Sequence, residues 1–261
     1  MSLWVLILLC VVQGLTEFLP VSSSGHLLFV EQLFGIKDNL LLINLFLHLS
    51  TLLAVVVVYR KVLWGLLKKP FQPLTFKLML STAVTVVFAV IYKLLHLDGV
   101  VVKFYGFCFL VTAGLLFLAY KFQENSAVVK TGELSYKNAF LVGAVQGLAV
   151  LPGISRSGST ISAMILSGND ETQSAEYSFL LSIPIIVGGF IVELLEAGNW
   201  TVVFGGVSWW WCLIAFVLTF VVAILSLKLT VKFLKEKKFK WFSIYLLIVG
   251  LVVSIFNWFV W

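Results

Sequence analysis

Charged residues are scarce in this sequence: 11% of its 261 residues are Asp, Glu, Lys or Arg, whereas 61% are hydrophobic. A soluble domain of this length cannot bury so much apolar surface, so the bilayer must act as part of the solvent. Cysteine is also rare, and the three cysteines lie in apolar runs without metal-ligand spacing, as expected of small core residues. The net charge of +6 predicts no nucleic-acid partner, because the lysines fall in short loops where they determine membrane topology.

One polar stretch, residues 151–160, interrupts the apolar runs with an arginine, two glycines and four hydroxyl side chains. An arginine at membrane depth costs at least ~2.5–3.5 kcal/mol, so Arg156 needs a partner or a wet cavity. Glycine and proline break a helix and free backbone N–H groups, which together with a guanidinium and hydroxyls favour a phosphate. The alternative is a kinked helix whose hydroxyls bond back to the backbone, with the arginine at the interface.

The N-terminal region predicts a re-entrant hairpin. The apolar run of residues 1–12 is too short to cross about 30 Å of hydrocarbon. A polar segment, 13–26, follows and leads into a second short apolar run, 27–34. Non-helical backbone at membrane depth is tolerated where protein or a wet cavity covers it. Residues 138–167 show the same pattern around the 151–160 stretch.

The predicted fold class is therefore an all-α integral membrane protein with two hairpins and six full spans, arranged as two halves of one membrane domain. The first half, 1–125, contains a hairpin at 1–35 and spans at 41–59, 78–95 and 104–120. The second half, 126–261, contains a hairpin at 138–167 and spans at 176–195, 208–227 and 241–260.

The two halves are related in sequence. Residues 11–15 match residues 144–148 with an offset of 133, and Leu19-Pro20 matches Leu151-Pro152 with an offset of 132. A repeat in which each unit has an odd number of crossings must be inverted in the membrane. Chance similarity between two glycine-rich breaks is the alternative.

Loop charges predict the orientation. Lysine and arginine cluster after the first, third and fifth predicted spans, whereas the opposite loops contain few lysines. Positive-inside orientation then places the first hairpin at the outer face and the second at the inner face. Their polar tips would meet near the midplane and form one site.

The two tips together offer the groups of a phosphoryl-transfer site. Glu17 and Arg156 are expected charge partners, since each alone would be costly to bury. A carboxylate beside phosphate calls for a bridging cation, and Mg²⁺ or Ca²⁺ binds through one or two carboxylates plus substrate oxygens. Serines and His26 could supply a nucleophile or oriented water and a proton shuttle.

Two motifs carry a family resemblance. Residues 13–26 (QGLTEFLPVSSSGH) and 152–160 (PGISRSGST) resemble the signature motifs of the undecaprenyl-diphosphate phosphatases, membrane enzymes linked to bacitracin resistance. Residues 46–54 and 177–184 also resemble this family, and the resemblance covers essentially the whole chain. It implies hydrolysis of undecaprenyl diphosphate to undecaprenyl phosphate, which recycles the lipid carrier for peptidoglycan synthesis. It also implies a divalent cation and a multi-pass protein of the bacterial plasma membrane, with its active site open to the outer face.

The resemblance also assigns roles to residues. Glu17, Ser23, His26 and Arg156 take the catalytic positions, with Ser23 as proposed nucleophile and His26 for proton transfer or attack. Glu17, with or without Gln13, is the expected metal ligand. Gln13 stands where the family also allows glutamate, which puts a two-carboxylate metal site in doubt. The substrate-binding set is Gln13, Ser22, Ser24, Gly153, Ser155, Ser157 and Thr160.

A transporter is the rival interpretation, because inverted repeats with broken helices at the midplane are typical of secondary transporters. Such a protein would move an anionic lipid or a small phosphate compound. The excess of reactive groups, Glu17, His26 and several serines, favours the enzyme. The expected partners are an isoprenoid diphosphate lipid and the bilayer, and the sequence is compatible with a homodimer.

Overall fold

The computed structural model describes residues 2–36, 41–96, 98–125, 134–196 and 209–260. Within these residues the chain forms eleven α-helices and no strand, as predicted for an all-α protein. The first six helices are α1 (Leu3–Thr16), α2 (Ser23–Leu33), α3 (Leu41–Val58), α4 (Arg60–Lys68), α5 (Pro73–Leu94) and α6 (Asp98–Glu124). The other five are α7 (Tyr136–Leu148), α8 (Arg156–Leu166), α9 (Glu171–Glu196), α10 (Trp209–Lys235) and α11 (Phe239–Val260).

Five of these helices are long and apolar enough to cross a membrane: α5, α6, α9, α10 and α11. The prediction of six full spans depends on the first of them. The helix predicted over 41–59 stops at Val58, and the chain bends by 75° into α4, so a sixth span exists only if the bent pair counts as one. The chain is a multi-pass membrane protein, and its described residues contain five or six candidate spans.

Several predicted boundaries also shift. Helix α5 begins at Pro73 rather than at 78, because Pro fits the first turn of a helix, where its missing N–H costs no hydrogen bond. Helix α10 continues to Lys235 rather than ending at 227, so its last two turns carry lysines beyond the apolar run. Residue 126, where the second half was predicted to begin, lies outside the described residues, as do Lys130 and residue 208.

The short helices α1 and α2 are separated by a break at residues 17–22, and α7 and α8 by a break at 149–155. At the first break, Ser22 has a positive φ of 69°, and its hydroxyl caps α2 by accepting from the Gly25 N–H at 3.4 Å. At the second break, Gly153 has φ +90°, and Ser155 caps α8 by accepting from the Gly158 N–H at 3.0 Å. A side-chain oxygen at the N-cap satisfies a backbone donor that the first helical turn leaves unpaired.

The first helix of each hairpin packs closely on a helix from the other half of the sequence. Helix α1 lies against α10, and α7 lies against α5. A Cβ added to Gly14 would stand 2.8 Å from the Cβ of Val222, and one added to Gly147 would stand 2.5 Å from the Cβ of Phe88. Glycine allows these backbones to approach, the usual device of helix packing in membranes. Helices α6 and α11 also pack along each other.

The buried core surrounds the two breaks. Its largest members near them include the fully buried side chains of Phe18, Tyr105, Phe109 and Phe179. By contrast, α5 and α11 expose many large apolar side chains on one face, as expected where lipid is the solvent. The polar residues of both breaks are therefore enclosed by packed aromatic side chains.

Candidate active site

Glu17 lies at the first break, directly after the last residue of α1, and only 8% of it is exposed. Its Oε1 accepts from Nη2 of Arg156 at 2.5 Å. Its Oε2 accepts from the hydroxyl of Ser23 at 2.5 Å and from Nε2 of Gln13 at 3.2 Å. A buried carboxylate needs this kind of compensation, because removing a charge from water costs several kcal/mol.

Arg156 is the first residue of α8, and its side chain is 14% exposed. The ion pair with Glu17 joins the two polar breaks across 139 positions of sequence, which confirms the predicted charge pairing. The second terminal nitrogen, Nη1, is buried and has no hydrogen-bond partner among the described residues. A buried donor without an acceptor is costly, so this nitrogen is available to an oxygen-rich ligand.

The serines that follow Glu17 do not share one role. The Ser23 hydroxyl donates to the Glu17 carboxylate, whereas Ser22 is an N-cap whose hydroxyl lies 3.5 Å from that of Ser24. Ser24 is exposed, and Ser23 is partly exposed. Ser23 is therefore the hydroxyl of this segment that is both reachable and in contact with a base.

The hydroxyls of the second break mostly build its backbone. Ser155 caps α8 and lies 3.3 Å from the Ser157 hydroxyl, which donates to the backbone oxygen of Leu19 at 3.1 Å. Thr160 is fully buried and pairs with the hydroxyl of Ser178 at 2.6 Å. At Gly153 a Cβ would come within 2.3 Å of the Tyr105 backbone oxygen, so only glycine fits.

His26 is held at both ring nitrogens and does not contact Ser23. Its Nδ1 lies 2.7 Å from the backbone oxygen of Ser22, and its Nε2 lies 2.8 Å from the hydroxyl of Tyr245. A carbonyl oxygen can only accept, so Nδ1 carries the proton and Nε2 of the neutral ring accepts from Tyr245. The ring also stacks on Tyr245, with centroids 5.8 Å apart, and meets the Phe109 ring edge-on.

These groups enclose a small cavity of about 40 Å³. Polar residues from both breaks line most of it: Thr16, Glu17, Ser22, Ser23, Ser24, Ser155 and Arg156, with Ala149 and Ile154. Both α2 and α8 begin beside it, and the N-terminus of a helix attracts anions through its unpaired N–H groups and dipole. The cavity can hold an oxyanion, with a carboxylate and a hydroxyl at its edge.

Glu17 at the first break and Gln13 in the last turn of α1 offer oxygen atoms of the kind that a hard divalent cation binds. Glu17 is a carboxylate with spare acceptor capacity, and the amide oxygen of Gln13 is buried without a partner. No group of three His, Cys, Asp or Glu side chains suited to a metal occurs among the described residues. A cation here would take few ligands from the protein and the rest from phosphate oxygens and water, which is how Mg²⁺ is commonly bound.

The structure thus brings Glu17, Arg156, Ser23 and Gln13 into one hydrogen-bonded group, and it lines the same cavity with Ser22, Ser24 and Ser155. The other predicted site residues, Gly153, Ser157, Thr160 and His26, shape or flank it. Their roles in catalysis or substrate binding stay predictions.

Three neighbours of the site residues were missed from sequence. Tyr245 bonds to His26, and Ser178 bonds to Thr160. Thr112 accepts from the Ser155 N–H at 3.0 Å. The sequence signal that could have indicated these neighbours is a polar residue within an apolar span. The spacing of such residues does not indicate which break they contact.

Comparison with known proteins matches this chain to one family over most of its length. The family model described as bacitracin resistance protein BacA matches residues 6–252. An undecaprenyl-diphosphatase of Treponema denticola is 38% identical over 271 residues, covering 99% of this chain and 98% of the relative. Those of Christiangramia forsetii and Carboxydothermus hydrogenoformans are 36% and 35% identical, with at least 95% of each chain covered. Both polar breaks lie inside the matched region.

Proposed function

The chain belongs to the bacitracin resistance protein BacA family, and we propose that it hydrolyses undecaprenyl diphosphate to undecaprenyl phosphate and inorganic phosphate. The resemblance of the two motifs to this family is confirmed by relatives that match nearly the full chain. The protein is a membrane hydrolase of a lipid diphosphate, and its product re-enters cell-wall synthesis as a lipid carrier.

One observation supports placing the reaction at the two breaks. The Glu17 carboxylate accepts simultaneously from Arg156 of the second motif and from Ser23 of the first. A guanidinium, a carboxylate base and a hydroxyl nucleophile therefore meet at one point, and neither motif contains all three groups. This is the arrangement that transfer of a phosphoryl group requires.

Arg156 and the two helix N-termini bind the diphosphate. Nη2 remains on Glu17, while the unpartnered Nη1 donates to an oxygen of the terminal phosphate. The N–H groups at the starts of α2 and α8 add partial positive charge. Because these donors are already oriented, they stabilise the charge that spreads over the phosphate oxygens in the transition state, usually a large part of catalysis.

Ser23 attacks the terminal phosphorus. Its hydroxyl proton passes to Glu17 Oε2 as the Ser Oγ–P bond forms and the P–O bond to undecaprenyl phosphate breaks. Water then hydrolyses the phosphoserine and releases inorganic phosphate, with the proton returning from Glu17 to Ser23. The 2.5 Å contact between Ser23 and Glu17 supports this base assignment over His26, whose nitrogens are bonded elsewhere. Direct attack by water, oriented by Glu17, is the second candidate.

Mg²⁺ or Ca²⁺ would be held by Glu17 together with the amide oxygen of Gln13. Such a cation would neutralise phosphate charge next to the carboxylate. Glu17 would then have three functions: taking the Ser23 proton, orienting Arg156 and offering an oxygen to the cation. The unpartnered amide oxygen of Gln13 supports its part in this site.

The two halves form an inverted repeat, and the packing supports this proposal. The Cys10 carbonyl oxygen accepts from the Thr219 hydroxyl at 3.3 Å, and the Gly143 carbonyl oxygen accepts from the Thr85 hydroxyl at 3.0 Å. Cys10 and Gly143 are related by the offset of 133 that relates residues 11–15 to 144–148, and Thr85 and Thr219 lie 134 positions apart. Equivalent hydrogen bonds thus recur at equivalent positions of the two halves.

The hairpins are re-entrant, the membrane is the bacterial plasma membrane, and the active site opens to its outer face. The lysine-rich turn between α10 and α11 and the arginine and lysines of α4 then lie on the inner side.

The decisive experiment is phosphate release by the purified protein in detergent, where no gradient exists. Undecaprenyl diphosphate should be hydrolysed, and a chelator should abolish the reaction. A protein that binds the lipid yet releases no phosphate would instead be a transporter, which the relatives named undecaprenyl-diphosphatase do not favour.

Ser23→Ala then separates the two attack routes. The matched control is Ser167→Ala, whose hydroxyl only bonds back to its own helix at the Ala163 oxygen. Loss of activity in Ser23→Ala, together with loss of the phosphoserine that can be trapped in the wild type, would support Ser23 as the nucleophile. Near-normal activity in Ser23→Ala would contradict the seryl intermediate and leave water as the nucleophile, without affecting the proposed overall reaction.

A further inference from the structure

A groove of about 500 Å³ lies between α6 and α11, and none of its lining residues belongs to either polar break. It is lined by Lys103, Phe104, Gly106, Phe107, Ser254, Asn257 and Trp258. Lys103 is in the second turn of α6, and Asn257 and Trp258 are in the last turn of α11. The groove therefore lies at the ends of two membrane helices, at the depth where lipid head groups meet hydrocarbon.

Asn257 is the unusual residue of this groove. It is 4% exposed, and both its amide oxygen and its amide nitrogen lack a hydrogen-bond partner among the described residues. Burying an amide without hydrogen bonds costs free energy, and the cost is greater where lipid rather than water surrounds the protein. A ligand that both accepts and donates a hydrogen bond would satisfy this side chain.

The other lining residues define the chemistry of that ligand. Lys103 is exposed and brings a positive charge to the groove. Phe104, Phe107 and Trp258 are 61%, 62% and 84% exposed and offer large apolar faces beside it. Aromatic side chains at this depth are typical of the membrane interface, and a basic pocket between membrane helices favours a lipid phosphate.

We propose that this groove binds the head group of an anionic glycerophospholipid such as phosphatidylglycerol. The phosphodiester oxygens accept from the Lys103 ammonium and the Asn257 amide nitrogen, and a glycerol hydroxyl donates to the Asn257 amide oxygen. The acyl chains lie along Phe104, Phe107 and Trp258. A zwitterionic choline lipid lacks both the hydroxyl and the net negative charge, so the groove discriminates between the two.

The groove is separate from the active site although α6 serves both. Tyr105 and Phe109, on the opposite face of α6, are fully buried and face α2, where Tyr105 donates to Gln32 and Phe109 meets His26. A head group in the groove would hold α6 against α11, whose contact brings Gly106 next to the backbone of Ser254. Lipid binding should therefore stabilise the protein without being needed for hydrolysis.

The test is native mass spectrometry of the purified protein in a neutral detergent, with phosphatidylglycerol or phosphatidylcholine added. We expect the wild type to retain phosphatidylglycerol and to retain phosphatidylcholine only weakly. The affinity of Lys103→Gln for phosphatidylglycerol should be about five- to tenfold lower, because one charge-assisted hydrogen bond is lost. Lys228→Gln, an exposed lysine on α10, is the matched control and should bind as the wild type does.

Asn257→Leu provides a second, independent arm. It removes the unpaired amide, so the lipid-free variant should unfold at the same or a higher temperature, while its preference for phosphatidylglycerol disappears. Equal retention of both lipids by the wild type would overturn the proposal, as would unchanged binding in Lys103→Gln and Asn257→Leu. A change in the dimer fraction instead of the lipid count would assign the groove to a second copy of the chain and also overturn it.

Discussion

Replacing Arg156 by lysine tests whether two guanidinium nitrogens are needed at once. In the structure Nη2 is committed to Glu17 at 2.5 Å, and Nη1 is buried without a partner. Lysine keeps the positive charge but ends in a single nitrogen, which can serve the carboxylate or the phosphate but cannot reproduce the planar fork. The variant therefore keeps the ion pair and loses the transition-state contact.

The expected loss follows from the environment of that contact. Removing one oriented donor from an oxyanion site costs about 2.7–4 kcal/mol, or about a hundred- to a thousandfold in kcat. The Glu17 charge stays neutralised, so the unfolding temperature should change little compared with a leucine replacement, which would leave the buried carboxylate unpaired. The assay is phosphate release from undecaprenyl diphosphate in detergent, measured together with thermal unfolding.

The chain contains one other arginine, which supplies the matched control. Arg60 is exposed, and its Nη1 donates to the Val57 backbone oxygen at 2.9 Å. Arg60→Lys should stay within about twofold of the wild-type rate, as expected of a surface substitution. A folded Arg156→Lys variant with a rate within about threefold of the wild type would refute the assignment, because that change is below 1 kcal/mol.

Three further predictions concern other parts of the molecule. Tyr245→Phe keeps the ring stacked on His26 but removes the hydrogen bond to its Nε2. Because Glu17 takes the Ser23 proton in the proposed mechanism, kcat should stay within about threefold of the wild type with an unaltered pH profile; a larger fall with an altered profile would instead assign the base role to His26. Gly153→Ala should lower the unfolding temperature strongly, because this residue has a positive φ and an added Cβ would lie 2.3 Å from the Tyr105 backbone oxygen. Gly114→Ala is the control and should raise the unfolding temperature slightly, since an added Cβ there has no atom within 4 Å. Equal effects of the two substitutions would contradict the packing at Gly153. In intact cells, an impermeant maleimide should label Leu95→Cys, at the outer end of α5, but not Glu236→Cys, on the inner side. The three native cysteines are buried and should give no background labelling. The reverse labelling pattern would contradict the proposed orientation.

The parts of the site that could be predicted are the charged residues, because burying a charge within a bilayer has a high free-energy cost. Arg156 and Glu17 stood out because charges are rare in apolar segments, and the same cost predicted that they would pair. Proline and glycine in both motifs likewise indicated where helices stop. These features depend on local sequence and on the solvent alone, so no knowledge of the packing was needed.

Other parts depend on which helices become neighbours. His26 meets Tyr245 across 219 positions, and no pattern near either residue indicates that contact. Helix α4 and the bend of 75° before it were not predicted, because the basic residues that follow the first span were interpreted as a loop. The extension of α10 was missed because its lysines were interpreted as a loop, although long side chains at a helix end can reach the interface.

The pairing of α1 with α10 and of α7 with α5 has a consequence for synthesis of the protein. The N-terminal hairpin is made first, but the helix that buries its face begins only at Trp209. During most of translation the Glu17 side chain has no Arg156, and Gly14 has no Val222 to pack on. The hairpin must therefore wait, undocked, until more than four-fifths of the chain has left the ribosome. Long-range pairing of this kind slows folding, and it leaves the first half exposed to quality-control proteases for as long as the second half is unmade.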